Sequence, residues 1–274
     1  MIAVVVGGGT MGAGIAHLLL AGGHEVVLAE SGADRVTAAR DAVARSLAKA
    51  AERGKIDRSP ESLLAALTVV DRLAAVPAEL VIEAVPEDAA LKHAVLAEAA
   101  NACPDAILAS NTSSLSITRL AAGLPAERVL GLHFFNPVPV QPLVELVRHP
   151  GVAPETVATA RTWVEGLGKT VIEVNDAPGF ATSRLGVAVG LEAIRLLAEG
   201  VASAEDIDTG MRLGYGWPMG PLRLTDLVGL DVRLAIAEHL AAELGDRFTP
   251  PDLLREKVAR GELGRKTGQG FFTW

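Results

Sequence analysis

The 274 residues, half of them apolar and 21% charged, are enough to bury a large core, which excludes an intrinsically disordered chain and predicts two domains. Against 33 acidic residues stand 25 basic ones, and the resulting net charge of -8 has the wrong sign for a protein whose main partner is nucleic acid. The single cysteine, Cys103, permits no internal disulfide, so a buried, inert thiol in a reducing compartment, the cytoplasm, is expected. No apolar run approaches the ~18 residues of a membrane span, and no basic leader precedes the first strand-like run, so neither membrane nor export signal is expected.

Taken in chain order, β-branched runs predict strands over residues 2–6, 25–29, 80–84, 106–109, 129–134, 143–147 and 169–174. Ala/Leu-rich helical patterns alternate with them, and that alternation predicts an α/β fold around a doubly wound, mainly parallel sheet. Between the second and third strands, residues 34–66 read as a helical insertion. One long helix ends near Gly54, and a second is capped at Ser59-Pro60-Glu61. The first helix carries Arg45, Lys49 and Arg53 at four-residue spacing, which makes one basic face. After Asn175 the strand patterns stop. Residues 184–199 form a helix with apolar positions nearly all round, followed by helices near 204–213, 221–227, 231–244 and 251–259. The division expected is a Rossmann-type domain over 1–175 and a smaller all-α domain over 176–274. That much apolar helix surface in so small a unit predicts a subunit interface, hence a homodimer.

The segment Gly7-Gly8-Gly9-Thr10-Met11-Gly12 has the form G-x-G-x-x-G. It follows the first strand and opens a helix, and Glu30 closes the second strand 18 residues later, the context a dinucleotide fingerprint requires. Gly7 allows the tight turn, Gly9 lets the backbone approach a diphosphate, and Gly12 lets helix and strand pack closely. Thr10 and Met11 open the helix whose N-terminus offsets the phosphate charge. Glu30 can accept the adenosine ribose hydroxyls and would repel a 2′-phosphate, so NAD is favoured over NADP.

Chemistry concentrates in Gly131-Leu132-His133-Phe134-Phe135-Asn136-Pro137 and Leu143-Val144-Glu145-Leu146-Val147. A histidine near a strand end, a proline-rich turn, and one acid in the apolar run that follows suggest an acid–base pair. Imidazole titrates near neutrality, and a carboxylate on its other nitrogen fixes the tautomer and stabilises the imidazolium.

With these segments the chain resembles the short-chain L-3-hydroxyacyl-CoA dehydrogenases, among them the 3-hydroxybutyryl-CoA dehydrogenases. The likeness runs nearly full length through Glu83-Ala84-Val85-Pro86-Glu87, Ser110-Asn111-Thr112-Ser113-Ser114, Pro178-Gly179-Phe180, the segment from Leu213 to Pro221, and Gly264-Arg265-Lys266-Thr267-Gly268. The resemblance implies hydride transfer between NAD and the 3-hydroxy group of an acyl-CoA, with His133 as general base, Glu145 as its partner and Ser113 on the substrate oxygen and near the nicotinamide. It implies further cofactor contacts at Glu87, Lys92, Asn136 and Lys266, and contacts to the CoA moiety at Ser46 and Arg53. The family's asparagine beside the substrate is replaced here by Ser183, which has shorter reach and one hydroxyl in place of an amide. Two alternatives stay open: a related hydroxy-acid dehydrogenase of the gulonate or carnitine type, and a catalytically silent NAD-binding protein.

Overall fold

The computed structural model describes all 274 residues, and the chain divides into two compact units, Met1–Asp176 and Ala177–Trp274. The first unit is built on one eight-stranded sheet of order β3-β2-β1-β4-β5-β6-β7-β8. Its strands are β1 (Ile2–Val6), β2 (Glu25–Ala29), β3 (Leu67–Val70), β4 (Leu80–Glu83), β5 (Ile107–Ser110), β6 (Val129–Phe134), β7 (Leu143–Arg148) and β8 (Thr170–Asn175). The α/β class is the one the sequence predicts. Strands β1 to β6 run parallel, while β7 pairs antiparallel with β6, and β8 follows β7 in parallel. Every residue of β4, β5 and β6 is buried, as befits strands covered on both faces.

Helix α1 (Thr10–Ala21) runs back along the sheet with nine buried residues from Gly12 to Leu20, which accounts for its nearly unbroken apolar sequence. Helix α2 (Ala33–Glu52) buries only Ala39, Val43 and Leu47, a single stripe at four-residue spacing that packs on α1. The short α3 (Pro60–Leu64) starts as the sequence suggests: Ser59 Oγ accepts from Ser62 N at 3.2 Å and Pro60 occupies the first turn.

One element is not anticipated by the sequence. The α2–α3 pair leads into β3, which pairs in parallel with β2, so the pair is the crossover between neighbouring strands and not a free-standing insertion. Leu67-Thr68-Val69-Val70 follows directly on the helical pattern Leu63-Leu64-Ala65-Ala66, with no turn residue between them to mark where a strand begins. Helices α4 (Ala89–Ala102), α5 (Ile117–Leu120) and α6 (Pro154–Gly166) complete this unit. Cys103, just past α4, is buried, and burial pushes its thiol up, away from the reactive thiolate.

The second unit is helical: α7 (Thr182–Ala198), α8 (Ala204–Gly214), α9 (Pro221–Val228), α10 (Leu230–Leu244) and α11 (Asp252–Ala259). Its core gathers Val187, Leu191 and Ile194 of α7 with Leu222, Leu230, Ala237, Leu240, Phe248 and Leu254. Within one chain α7 is buried along one side only, where burial on several sides is expected from its sequence; Leu185 is 67% exposed. Two acids fasten the unit. Asp208 reaches from α8 to accept from Leu222 N and Arg223 N, capping α9 from outside, while Asp226 accepts from Phe271 N, Phe272 N and Trp274 Nε1 and so ties down the C-terminal segment. No helix is long and apolar enough to cross a membrane.

Candidate active site

The reversal of strand direction between β6 and β7 brings together the two residues of the candidate acid–base pair. His133 and Glu145 are directly opposite in the antiparallel register, so their side chains leave the same face of the sheet. His133 Nδ1 lies 2.7 Å from Glu145 Oε2; the histidine is 6% exposed and the carboxylate is fully buried. The Phe135 ring lies against the imidazole with centroids 4.4 Å apart. With Nδ1 on a carboxylate, the tautomer and orientation of the ring are fixed, and a developing imidazolium is met by a fixed negative charge.

The loop after β5 is held to the end of β6: Asn111 Oδ1 accepts from Phe134 N at 2.9 Å, one residue past His133. Glu87 fixes the same loop from the other side, with Oε1 accepting from Thr112 Oγ1 at 2.6 Å and Ser113 N at 2.9 Å. Ser113 Oγ makes no hydrogen bond within the chain, so its hydroxyl is free to meet a ligand. Lys92 stands elsewhere than a surface contact would. It is 1% exposed, and its Nζ donates to Glu83 Oε1 at 2.8 Å and Val85 O at 3.0 Å, with Glu87 Oε2 at 3.3 Å. Glu83, itself fully buried, also accepts from Ser110 Oγ at 2.6 Å. This buried ion pair contributes little net stability, but losing one partner would cost about 3–5 kcal/mol. Its consequence is a fixed course for the 83–87 loop. The structural roles of Glu83, Ser110 and Asn111 escape sequence reasoning, because each depends on partners 9 to 27 residues away.

The glycine loop fits a dinucleotide diphosphate. Gly9 stands at the N-cap of α1 and offers no side-chain cap, and the first turn holds no acid, so the N-terminal amides and positive dipole end are not offset by the chain itself. Gly7, at φ +101°, would bring a Cβ to 2.8 Å from the Ala84 carbonyl, and a Cβ on Gly12 would overlap the carbonyl oxygen of Gly7. A Cβ on Gly9 would meet nothing within 4 Å, so room there is kept for something other than protein. Gly8, to which the sequence pattern assigns nothing, is closed by Ala39 of α2. Thr10 is exposed in the first turn of α1, and Met11 packs on the core. Glu30 Oε2 accepts from Gly8 N at 2.7 Å and Oε1 from Ser31 N at 2.8 Å, which fixes the carboxylate beside the loop.

Asn136 is exposed and begins the turn through the cis Asn136–Pro137 bond. Lys169, which the sequence suggests only as the start of a strand, holds this turn: its buried Nζ donates to Val138 O and Gln141 O, both at 2.8 Å. The basic stripe of α2 is exposed at Arg45, Lys49 and Arg53, but Ser46 is turned away from it, its Oγ 2.7 Å from Nδ1 of the buried His17. The reason is helical phase, since Ser46 borders the buried Val43–Leu47 stripe. Burial, reinforced by the charge of Lys169, pulls His17 down from 6.5 to about 4. The unfolded chain therefore binds the proton more tightly than the folded one. The stability this neutral histidine contributes is complete above pH 6.5 and is lost as pH falls toward 4, a loss of roughly 3 kcal/mol at ~1.36 kcal/mol per unit. Urea melts at pH 4.5 and 7 should show this slope in the parent and a flatter one in His17→Asn; equal slopes would remove His17 as the cause.

In the second unit, Ser183 lies half-buried in the first turn of α7, and Lys266 Nζ is held by Asp231 at 2.6 Å. A hollow of about 710 Å³ in the first unit, lined by Arg148, Arg161 and Glu173 among others, contains none of the residues above.

Comparison with known proteins places these features in a family. Residues 2–177 match the family model described as 3-hydroxyacyl-CoA dehydrogenase, NAD binding domain, and residues 179–274 match that of the 3-hydroxyacyl-CoA dehydrogenase C-terminal domain. The chain is 44% identical over 279 residues to a 3-hydroxybutyryl-CoA dehydrogenase of Mycobacterium tuberculosis, with 98% of this chain and 97% of the relative covered. It is 41% identical to a 3-hydroxyadipyl-CoA dehydrogenase of Escherichia coli, covering 98% of this chain and 58% of that protein. The crystal structure of (S)-3-hydroxybutyryl-CoA dehydrogenase PaaH1 from Ralstonia eutropha superposes with a TM-score of 0.93 at 41% identity, covering 100% of this chain and 98% of that one. Two family models in tandem, together with relatives similar from end to end, establish that the chain belongs to the 3-hydroxyacyl-CoA dehydrogenase family, enzymes that transfer a hydride between NAD and the 3-hydroxy group of an acyl-CoA.

Proposed function

We propose that His133 removes the hydroxyl proton of a short-chain 3-hydroxyacyl-CoA, and returns it in the reverse direction, while Glu145 orients the ring and stabilises the imidazolium. The observation that carries this reading is the 2.7 Å cross-strand contact between the two buried side chains. Bound NAD supplies the hydride acceptor. Ser113 donates its free hydroxyl to the substrate oxygen, where negative charge develops. Gly7, Gly9, Gly12, Thr10 and Met11 form the diphosphate cradle. Glu87 and Lys92 set the cofactor loops, Asn136 and Lys266 serve as further contacts, and Arg53 faces the CoA moiety from the exposed stripe of α2, while Ser46, whose Oγ lies on His17, holds that helix against α1 from behind. Ser183 supplies a shorter donor where the family's asparagine is expected. Residues 1–175 act as the NAD-binding domain and 176–274 as the substrate and dimerisation domain. Leu185, Val201, Leu213 and Tyr215, each 63% to 79% exposed, favour a homodimer in which a second copy covers them, and the lone buried cysteine favours a reducing compartment, the cytoplasm.

The test is NADH formation across 3-hydroxyacyl-CoA esters of graded length, run with both NAD and NADP. We expect the highest kcat/KM on short esters and at least about a tenfold preference for NAD, roughly 1.4 kcal/mol, because the Glu30 carboxylate opposes a 2′-phosphate. Equal efficiency with NADP would contradict the role of Glu30, and activity only on free hydroxy acids would favour the gulonate- or carnitine-type reading.

A further inference from the structure

Arg233, in the first turns of α10, is 5% exposed, yet its guanidinium takes part in no hydrogen bond or ion pair, and its Nε is buried without a partner. A buried guanidinium is ordinarily paired, because desolvating an unpaired charge is costly. Burial pulls this one down to about 10, and no neighbouring charge opposes the effect. The acids on adjoining elements are committed elsewhere: Asp208 to the start of α9, Asp226 to the C-terminal segment, Asp231 to Lys266 and Glu238 to Arg255.

Beside the guanidinium, the Gly190 end is filled and buried, whereas the Gly186 end is half-exposed and unfilled. Gly186 and Gly190 stand one turn apart within α7, although glycine is a poor residue for a helix interior. A Cβ on Gly186 would find only Arg233 Nη1, at 3.6 Å, and one on Gly190 would meet Thr225 Oγ1 at 3.2 Å and Arg233 Nε at 3.8 Å. The two glycines thus remove side chains from the face of α7 that the guanidinium lies against. Ser183, the substrate contact implied by the family resemblance, opens the same face at i−3 and i−7.

We propose that Arg233 is the anchor of a carboxylate-binding site inside the C-terminal unit, taking a small organic carboxylate against the glycine face of α7. A carboxylate matches the planar fork of a single guanidinium in charge and geometry, whereas a phosphate would leave a second charge unpaired. The carboxylate has two sources: a free carboxylic acid, or the distal end of an acyl thioester whose acyl chain is a dicarboxylic acid. The thioester source rests on the function proposed above; the free-acid source does not.

Two measurements test the site. Thermal melts of the parent and of Arg233→Met are titrated with glutarate and with the neutral 1,5-pentanediol, and kcat/KM is measured on 3-hydroxyadipyl-CoA and 3-hydroxybutyryl-CoA. For the thioester source, the ratio of adipyl to butyryl kcat/KM falls by about 10–100-fold in Arg233→Met, the share of a charge-assisted hydrogen bond. For the free-acid source, glutarate but not the diol raises the parent's melting temperature, and the variant loses this rise. No glutarate rise together with an unchanged ratio overturns the site. So does a variant that turns monomeric with the ratio unchanged, since a partner copy would then supply the counter-charge. If Arg233→Met does not fold, the parent's titration is read alongside Gly186→Leu, which fills the open side. Its loss of the glutarate rise, or of adipyl over butyryl preference, supports the site, and loss of neither overturns it. An enzyme inactive on every ester refutes the proposed function and leaves the glutarate titration to decide the site.

Discussion

Replacing His133 by alanine lowers turnover on a 3-hydroxyacyl-CoA by about 10²–10⁴-fold while leaving NAD affinity nearly intact, the usual share of general acid–base catalysis. The alcohol proton must leave as the carbon–hydrogen bond gives up its hydride, and no other imidazole is paired with a buried carboxylate at the β6–β7 hairpin. Alanine has a second effect, because it removes a donor from the fully buried Glu145, and so the variant should melt earlier as well. His133→Asn separates the two effects. Its amide can still donate to Glu145 but cannot serve as a base near neutral pH, so it should retain most of the melting temperature and lose the same turnover. Near-parental rates in either variant would remove His133 from the reaction.

Gly12→Ala carries the largest stability effect expected for a single methyl group. The added Cβ would overlap the carbonyl oxygen of Gly7 and come to 3.4 Å from Val5 Cγ1, and neither backbone can yield without moving α1 off β1. Overpacking of this kind costs typically about 1–3 kcal/mol, and here, against backbone, the upper end or beyond. For a unit of this size that corresponds to a fall in melting temperature of roughly 6–12 °C. Gly9→Ala is the matched control. With nothing within 4 Å, its methyl should leave the melting temperature unchanged and weaken NAD by at least about tenfold, because it would occupy the space of the diphosphate. Calorimetric binding and melting of both variants check the pair; loss of stability in Gly9→Ala with normal NAD affinity would contradict the assignment.

The contrast between these glycines shows how much of the site can be read from the sequence. The fingerprint is legible because its residues are local, with strand, turn and helix following one another within 21 positions. The His133–Glu145 pair is legible for a similar reason: a hairpin joins two adjacent strands, and the antiparallel register brings positions 12 apart face to face. Gly8 and Ala39, Lys169 beneath the 138–141 turn, and the Glu83–Lys92–Ser110 network are not legible, because each contact joins elements whose approach the fold alone determines. Strand β3 is hidden because no turn residue parts it from the Ala/Leu-rich end of α3, and without it the α2–α3 pair reads as an insertion when it is a crossover. The contact between Ser46 Oγ and His17 is not legible either, because it joins α2 to α1 across 29 residues.

The central claim is that His133 and Glu145 act as one unit, and a double-mutant cycle tests it most directly. Turnover on 3-hydroxybutyryl-CoA is measured for the parent, His133→Ala, Glu145→Gln and the double variant. If the carboxylate works only through the imidazole, Glu145→Gln alone slows turnover, and adding it to His133→Ala costs less than about threefold more. Two losses that multiply in the double variant would show that Glu145 acts independently of His133, and the pair would no longer account for the chemistry.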